Sequence, residues 1–228
     1  MTNPRDVSFW LDSLPADHSL AARPQLRGDI SSDVAIVGAG YTGLWTAYYL
    51  HQIDPSLRIT IVEAEFAGFG ASGRNGGWLS ALLPMSFETM AAKHGRHLAV
   101  EMQRTMHDAV DEVARVTEQE GIDCHLAKGG YLNLARNQPQ VQRVHELLKY
   151  YRSWGFGEDD YRWLPADEAS ARLNATNVLG AGYTPHCAAI HPARLVRGLA
   201  ERVEHSGTTI YEQTRVVEID SRTLRCET

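Results

Sequence analysis

The sequence predicts an α/β protein, a parallel sheet interrupted by an inserted α+β segment, and three observations carry that prediction. Two short apolar runs flank a helical pattern near the start of the chain. A glycine-rich turn joins the first run to that helix. Strand-like segments return after residue 190, beyond two long helical patterns.

The elements follow in order. Residues 1–30 read as an irregular arm punctuated by Pro4, Pro15 and Pro24, with Phe9, Trp10 and Leu11 able to anchor it by burial. The run SDVAIVG (32–38) is continuously apolar, as expected of a strand covered on both faces in a parallel sheet. AGYTGLWTAYYLHQI is a helix with Leu44, Ala47, Tyr48 and His51 at helical spacing, stopped by Asp54-Pro55. LRITIVEA is the second strand, which gives a strand–helix–strand unit of about 30 residues. Residues 86–120 place Leu98, Met102, Met106, Ala109, Val110, Val113 and Thr117 three and four apart, a long amphipathic helix ended at Gly121. PQVQRVHELLKYYRSWG is a second helix, opened by Pro139 and closed by Gly155. YRWLPADEASARLN reads as a short strand and a short helix, VLGAGYTPHCAAIHP as a hairpin-like pair, and ARLVRGLAERVEHSG as a third helix. TTIYEQTRVVEIDS resumes strands. The expected organisation is an arm (1–30), a first sheet portion (31–95), an inserted domain (96–190) and a second sheet portion (191–228).

Composition narrows the function. A net charge of −6 with no basic cluster argues against nucleic acid or anionic membrane as partner. The three cysteines, Cys124, Cys187 and Cys226, are far apart and form no Cys-x-x-Cys pair, which fits a reducing cytoplasm. The N-terminus has acidic residues where a signal peptide needs an apolar core, and the apolar run VAIVGAGYTGLW is short and glycine-broken. The expected location is the cytoplasm.

The first chemical motif is Gly38-Ala39-Gly40-Tyr41-Thr42-Gly43, a Gly-x-Gly-x-x-Gly between strand and helix. The first glycine makes the tight turn, the second admits a pyrophosphate to the backbone, and the third lets helix and strand pack closely. Tyr41 and Thr42 open the helix, whose N-terminus faces the phosphate charge. Glu63 closes the next strand, where a carboxylate accepts from ribose hydroxyls and disfavours a 2′-phosphate. The motif admits NAD and FAD equally. Five glycines then fall within GFGASGRNGGW (68–78), which reads as a backbone cradle more than as a slack linker, because Trp78 and the apolar WLSALLP follow it.

DVAIVGAGYTGLWTAYYL, IVEAEFAGFGASGRNGGWLS, GIDCHLAKGGYLNLARN and AIHPARLVRGLA together resemble the FAD-dependent oxidoreductases of the D-amino-acid oxidase superfamily. The resemblance is closest to the branch of glycine, sarcosine and gamma-glutamylputrescine oxidases and extends from about Phe9 onward. It implies a Rossmann-type FAD-binding parallel sheet, incomplete on its C-terminal side, with an inserted α+β substrate domain. It lays Ser72, Gly73, Arg74, Asn75, Gly76 and Gly77 along the pyrophosphate and flavin, and makes Val216 in TRVVEI a backbone contact for the adenine. The implied reaction is oxidation of the C–N bond of a small amine or amino acid, with O2 or another acceptor reoxidising the flavin. The GRNGG loop offers no histidine or cysteine, so non-covalent FAD is expected. No acid/base pair stands out, and no catalytic residue is assigned. Family members are much longer than this chain, so an inactive FAD- or ADP-binding remnant is the alternative. An NAD-dependent dehydrogenase is a weaker one, disfavoured by the SGRNGG block.

His94 and His97 lie three apart without a carboxylate or cysteine to complete a ligand set, and no metal is expected. His186, Cys187 and His191 fall in PHCAAIHP, where His191 reads as a structural residue before Pro192 or, as the lesser alternative, as one facing the flavin.

Overall fold

A computed structural model describes residues 3–16 and 20–227; the rest of the expected arm, 1–2 and 17–19, and residue 228 lie outside them. In chain order, helix α1 (Phe9–Asp12) precedes strand β1 (Val34–Val37), helix α2 (Tyr41–Ile53) and strand β2 (Ile59–Val62). Strand β3 (Trp78–Ser80) leads to the long helix α3 (Phe87–Gln119), then β4 (Tyr131–Ala135), α4 (Gln138–Ser153), β5 (Arg162–Pro165) and α5 (Ala166–Arg172). β6 (Gly180–Thr184) and β7 (Cys187–Ala189) come next, followed by α6 (Pro192–His205), β8 (Thr209–Tyr211), β9 (Val216–Asp220) and β10 (Thr223–Cys226). No helix among the described residues is long and apolar enough to cross a membrane.

Two compact units result. The first holds the described residues up to Gly77, Thr117–His125 and those from Ile190 onward; the second holds Trp78–Val116 and Leu126–Ala189. The first break therefore falls at Gly77 and not near residue 95. Residues 78–80 pair with β7, and Phe87 and Met90 enter the second unit's aromatic core, which carries the whole 78–95 stretch with them.

In the first unit, β1, β2 and β8 form a parallel sheet in that order, with Val34 opposite Ile59 and Thr60 opposite Thr209. β2 is buried along its length. β1 alternates instead, and Val37 is 50% exposed. Its continuous apolar run predicted cover on both faces, yet β1 is one of the two edge strands of this sheet, and the face carrying Ala35 and Val37 is exposed. α2 packs on α6, with Leu44, Ala47, Val196, Leu199 and Val203 fully buried. The arm joins this core, since Leu11 and Leu14 pack with Phe66 and Ala193. Trp10 and Leu11 are its anchors, whereas Phe9 is 72% exposed.

A buried charge cluster fastens the arm further along. Arg23 forks onto both Glu204 oxygens at 2.7 Å and reaches Glu212 Oε1 at 3.0 Å. Glu212 is fully buried and also accepts from the N–H groups of Arg23 and Ala67, both at 2.9 Å. Arg197 Nη1 stands 3.6 Å from the same carboxylate.

In the second unit, β6 lies between β4 and β5 in an antiparallel sheet, and β3 pairs antiparallel with β7. β6 and β7 are thus adjacent in sequence but pair with different partners; the hairpin expected at 178–192 does not form. α3 bends at Gly95, where the backbone leaves helical geometry. The face it buries also differs from expectation. Leu98 and Met102 are 57% and 49% exposed, while Ala99, Gln103, His107 and Val110 are buried. The two polar members of that face are tolerated because they are bonded: Gln103 Nε2 donates to Ala81 O at 2.7 Å, and His107 Nε2 meets the Tyr161 hydroxyl at 3.1 Å. Phe87, Val144, Leu148, Trp154, Phe156 and Tyr161 fill the core beside it.

Candidate dinucleotide-binding site

All the residues that the sequence nominates for a cofactor lie in the first unit. Gly38 follows β1, donates its N–H to Val62 O at 2.8 Å and turns the chain at φ 97°. Gly40 is the N-cap of α2 and offers no side chain, so the first helical N–H groups depend on acceptors from elsewhere. One such partner is Ser72, whose Oγ accepts from the Tyr41 N–H at 2.9 Å. Gly43 sits where a Cβ would stand 2.1 Å from the Gly38 carbonyl oxygen, so helix and strand meet only because it is glycine. The glycine loop repeats the device: a Cβ on Gly73 would stand 2.1 Å from Gly68 O.

Glu63 follows β2 and turns its carboxylate toward the first turn. Oε2 accepts from the Ala39 N–H at 2.8 Å and Oε1 from the Glu65 N–H at 3.0 Å. Each oxygen keeps a lone pair for another donor. The backbone of Glu63 is held in turn by Tyr211 O and the Thr214 N–H, both at 2.8 Å.

The loop 68–77 is built and not slack. The Asn75 amide donates to the carbonyls of Ala71 and Ser72 at 3.2 Å, and its Oδ1 accepts from the Gly77 N–H at 2.9 Å. Both polar ends of Asn75 therefore hold the loop itself together. The Arg74 guanidinium lies over the Phe69 ring, 4.8 Å from its centre. The arm closes the loop from outside, since Ser8 Oγ donates to Gly73 O at 3.0 Å and Trp10 Nε1 to Asn75 O at 2.7 Å. Tyr41 donates its hydroxyl to Pro192 O at 3.0 Å, and burial pushes its phenol well above the usual range.

Hydrogen bonds thus bring Gly38–Gly43, Glu63 and Ser72 together. Thr42 and Gly76 are exposed, and nothing lies within 4 Å of a Cβ placed on Gly76. Val216 stands opposite Cys226 in the β9–β10 ladder, outside the three-stranded sheet. His94 and His97 are exposed beside the bend of α3. His191 is structural: it caps α6 through Nδ1, which accepts from the Arg194 N–H at 3.3 Å, and Nε2 meets Ser13 Oγ at 3.2 Å. Sequence reasoning missed Ser8, Trp10 and Glu212 as supports of this site, because their partners lie 65 to 189 residues away.

Bare backbone at two glycine turns, a helix N-terminus without its own cap and a carboxylate with spare lone pairs together fit a pyrophosphate-linked nucleotide. Trp10→Phe removes the indole N–H and leaves Asn75 O without it, so a loss of about 0.5–1.5 kcal/mol is expected in urea unfolding. An unchanged midpoint would show that the arm does not hold the loop.

Comparison with known proteins agrees with this geometry. The family model for FAD dependent oxidoreductases matches residues 33–227. Gamma-glutamylputrescine oxidoreductase of Escherichia coli (strain K12) is 29% identical over 198 residues, covering 87% of this chain and 45% of the relative. Glycine oxidase of Geobacillus kaustophilus is 31% identical over 193 residues, covering 83% and 48%. The crystal structure of glycine oxidase from Geobacillus kaustophilus superposes with a TM-score of 0.64 at 27% identity, covering 86% of this chain and 51% of that one. The chain spans about half the length of the curated relatives it matches.

Proposed function

Because the chain belongs to the FAD dependent oxidoreductase family, we propose that it holds FAD non-covalently and serves the oxidation of a C–N bond in a small amine or amino acid. The observation that carries this reading is the paired glycine cradle, in which Ser72 of the second turn caps the helix that the first turn opens. In it the N–H groups at the start of α2 and the backbone of 73–77 take the pyrophosphate and the flavin edge. Glu63 accepts from ribose hydroxyls with the lone pairs its two backbone donors leave free. Asn75 keeps the loop closed, Arg74 adds positive charge at its rim, and Val216 offers backbone to the adenine. FAD held there would supply a hydride acceptor for the carbon beside the amine nitrogen, leaving an imine for water to hydrolyse and the electrons for molecular oxygen or another acceptor. Residues 68–78 contain no histidine or cysteine, which supports non-covalent attachment.

The test begins with the visible spectrum of the purified chain after loading with FAD and desalting. A flavin spectrum is expected, with the colour released into the supernatant on acid precipitation. Colour that stays in the pellet would overturn the non-covalent reading. Anaerobic addition of small amines and amino acids is then expected to bleach the flavin. A stable flavin that no amine bleaches would favour an inactive FAD-binding remnant, and saturable NADH binding without flavin would overturn the proposal. Glu63→Ala is expected to weaken FAD binding by about 1–3 kcal/mol, through lost charge-assisted hydrogen bonds. Unchanged affinity in a fluorescence titration would remove Glu63 from the site.

A further inference from the structure

We propose that His107, Asp160 and His186 form a binding site for a divalent transition-metal ion that ties together three segments of the second unit. His107 lies in the middle of α3, Asp160 in the turn before β5, and His186 between β6 and β7. One ligand atom from each lies within 4.8 Å of the others. Asp160 Oδ1 is the hub, 3.0 Å from His186 Nε2 and 3.6 Å from His107 Nδ1. The two imidazole rings stack face to face, with centres 3.6 Å apart. Two nitrogens and a carboxylate oxygen are the donor set that zinc and its neighbours prefer.

The His107 ring is enclosed by Phe156 and Tyr161. Its Nε2 is bonded to the Tyr161 hydroxyl at 3.1 Å, the outer contact that orients a ligating histidine. His186 Nδ1 is buried without a hydrogen-bond partner. The same ring's Nε2 faces Asp160 Oδ1 at 3.0 Å, where a cation would take the place of the hydrogen bond between them. Ligand atoms around zinc stand about 3.3 Å apart and each imidazole meets the ion edge-on, so the two rings must turn out of their stack to close the set. The Asp160 side chain is 30% exposed, which leaves an entry path and room for water as fourth ligand. The expectation of no metal weighed only His94 and His97, which are exposed. The three residues named here are spread along the chain, with His186 26 residues beyond Asp160, and no local spacing announces them.

The test uses the full chain, treated with a chelator and titrated with zinc alone by calorimetry. One ion per chain is expected to bind and to raise Tm. Asp160→Asn and His186→Ala are each expected to lower the affinity by tenfold or more, whereas the double variant His94→Ala, His97→Ala keeps it. No saturable binding, or binding unaffected by Asp160→Asn and His186→Ala, overturns the proposal. Should either single variant fail to fold, X-ray absorption at the zinc edge of the unaltered protein decides. Two imidazoles and one carboxylate support the site, and a shell without histidine overturns it.

Discussion

Glu212→Ala is expected to destabilise the protein by about 3–5 kcal/mol, the cost of breaking a buried ion pair by removing one partner. The carboxylate is fully buried and receives three hydrogen bonds, from Arg23 Nη1 and from the N–H groups of Arg23 and Ala67. Its loss leaves two arginines beside a void, with Arg23 and Arg197 side chains only 9% and 4% exposed. Arg23 keeps Glu204, but Arg197 loses the carboxylate that stands 3.6 Å from it. The Ala67 N–H is orphaned at the start of the glycine loop, so the damage extends to the cradle. Glu212→Gln retains an acceptor for that N–H and is expected to cost less. Urea unfolding with an unchanged m-value measures both. A loss below about 1 kcal/mol for Glu212→Ala would show that the cluster contributes little net stability.

The second large effect is at Gly43. Gly43→Ala puts a methyl 2.1 Å from Gly38 O and 3.1 Å from Ile36 Cγ2, and the nearer atom is backbone that cannot rotate away. The helix must lift off the strand, at about 1–3 kcal/mol for overpacking. The lift also displaces the N–H groups that the proposed pyrophosphate would meet, so FAD affinity is expected to fall with stability. Gly76→Ala is the contrasting change, because a Cβ there meets nothing within 4 Å. Its stability is expected to stay within about 0.5 kcal/mol of the parent. If the flavin edge lies against Gly76, FAD affinity nonetheless drops; an unchanged affinity removes Gly76 from the site.

The strand–turn–helix–strand unit was legible in the sequence because its determinants are local. Gly38, Gly40 and Gly43 act within six residues of one another, Asp54 and Pro55 stop the helix, and the parallel pairing of β1 with β2 follows from the short crossover. Glu63 and Ser72 meet the same turn from 24 and 31 residues away, and Ser72 was nominated through the family resemblance and not through any local signal. Asn75 was nominated for a ligand, and the structure spends its amide inside the loop. That choice depends on a turn geometry that composition does not encode.

By itself the sequence determined the apolar strands, the helix ends and the glycine turns, since these depend on sterics and capping between near neighbours. Tertiary structure decided which face of α3 goes inward. Gln103 and His107 are buried because Ala81 and Tyr161 supply partners, while Leu98 and Met102 stay outside. It likewise decided that β6 and β7 part company, that Glu212 is enclosed, and that His107 and His186 stack around Asp160. In each case a polar group is stabilised or a strand paired by residues far along the chain, and the energy of a buried polar group depends on that partner more than on its own neighbours in sequence.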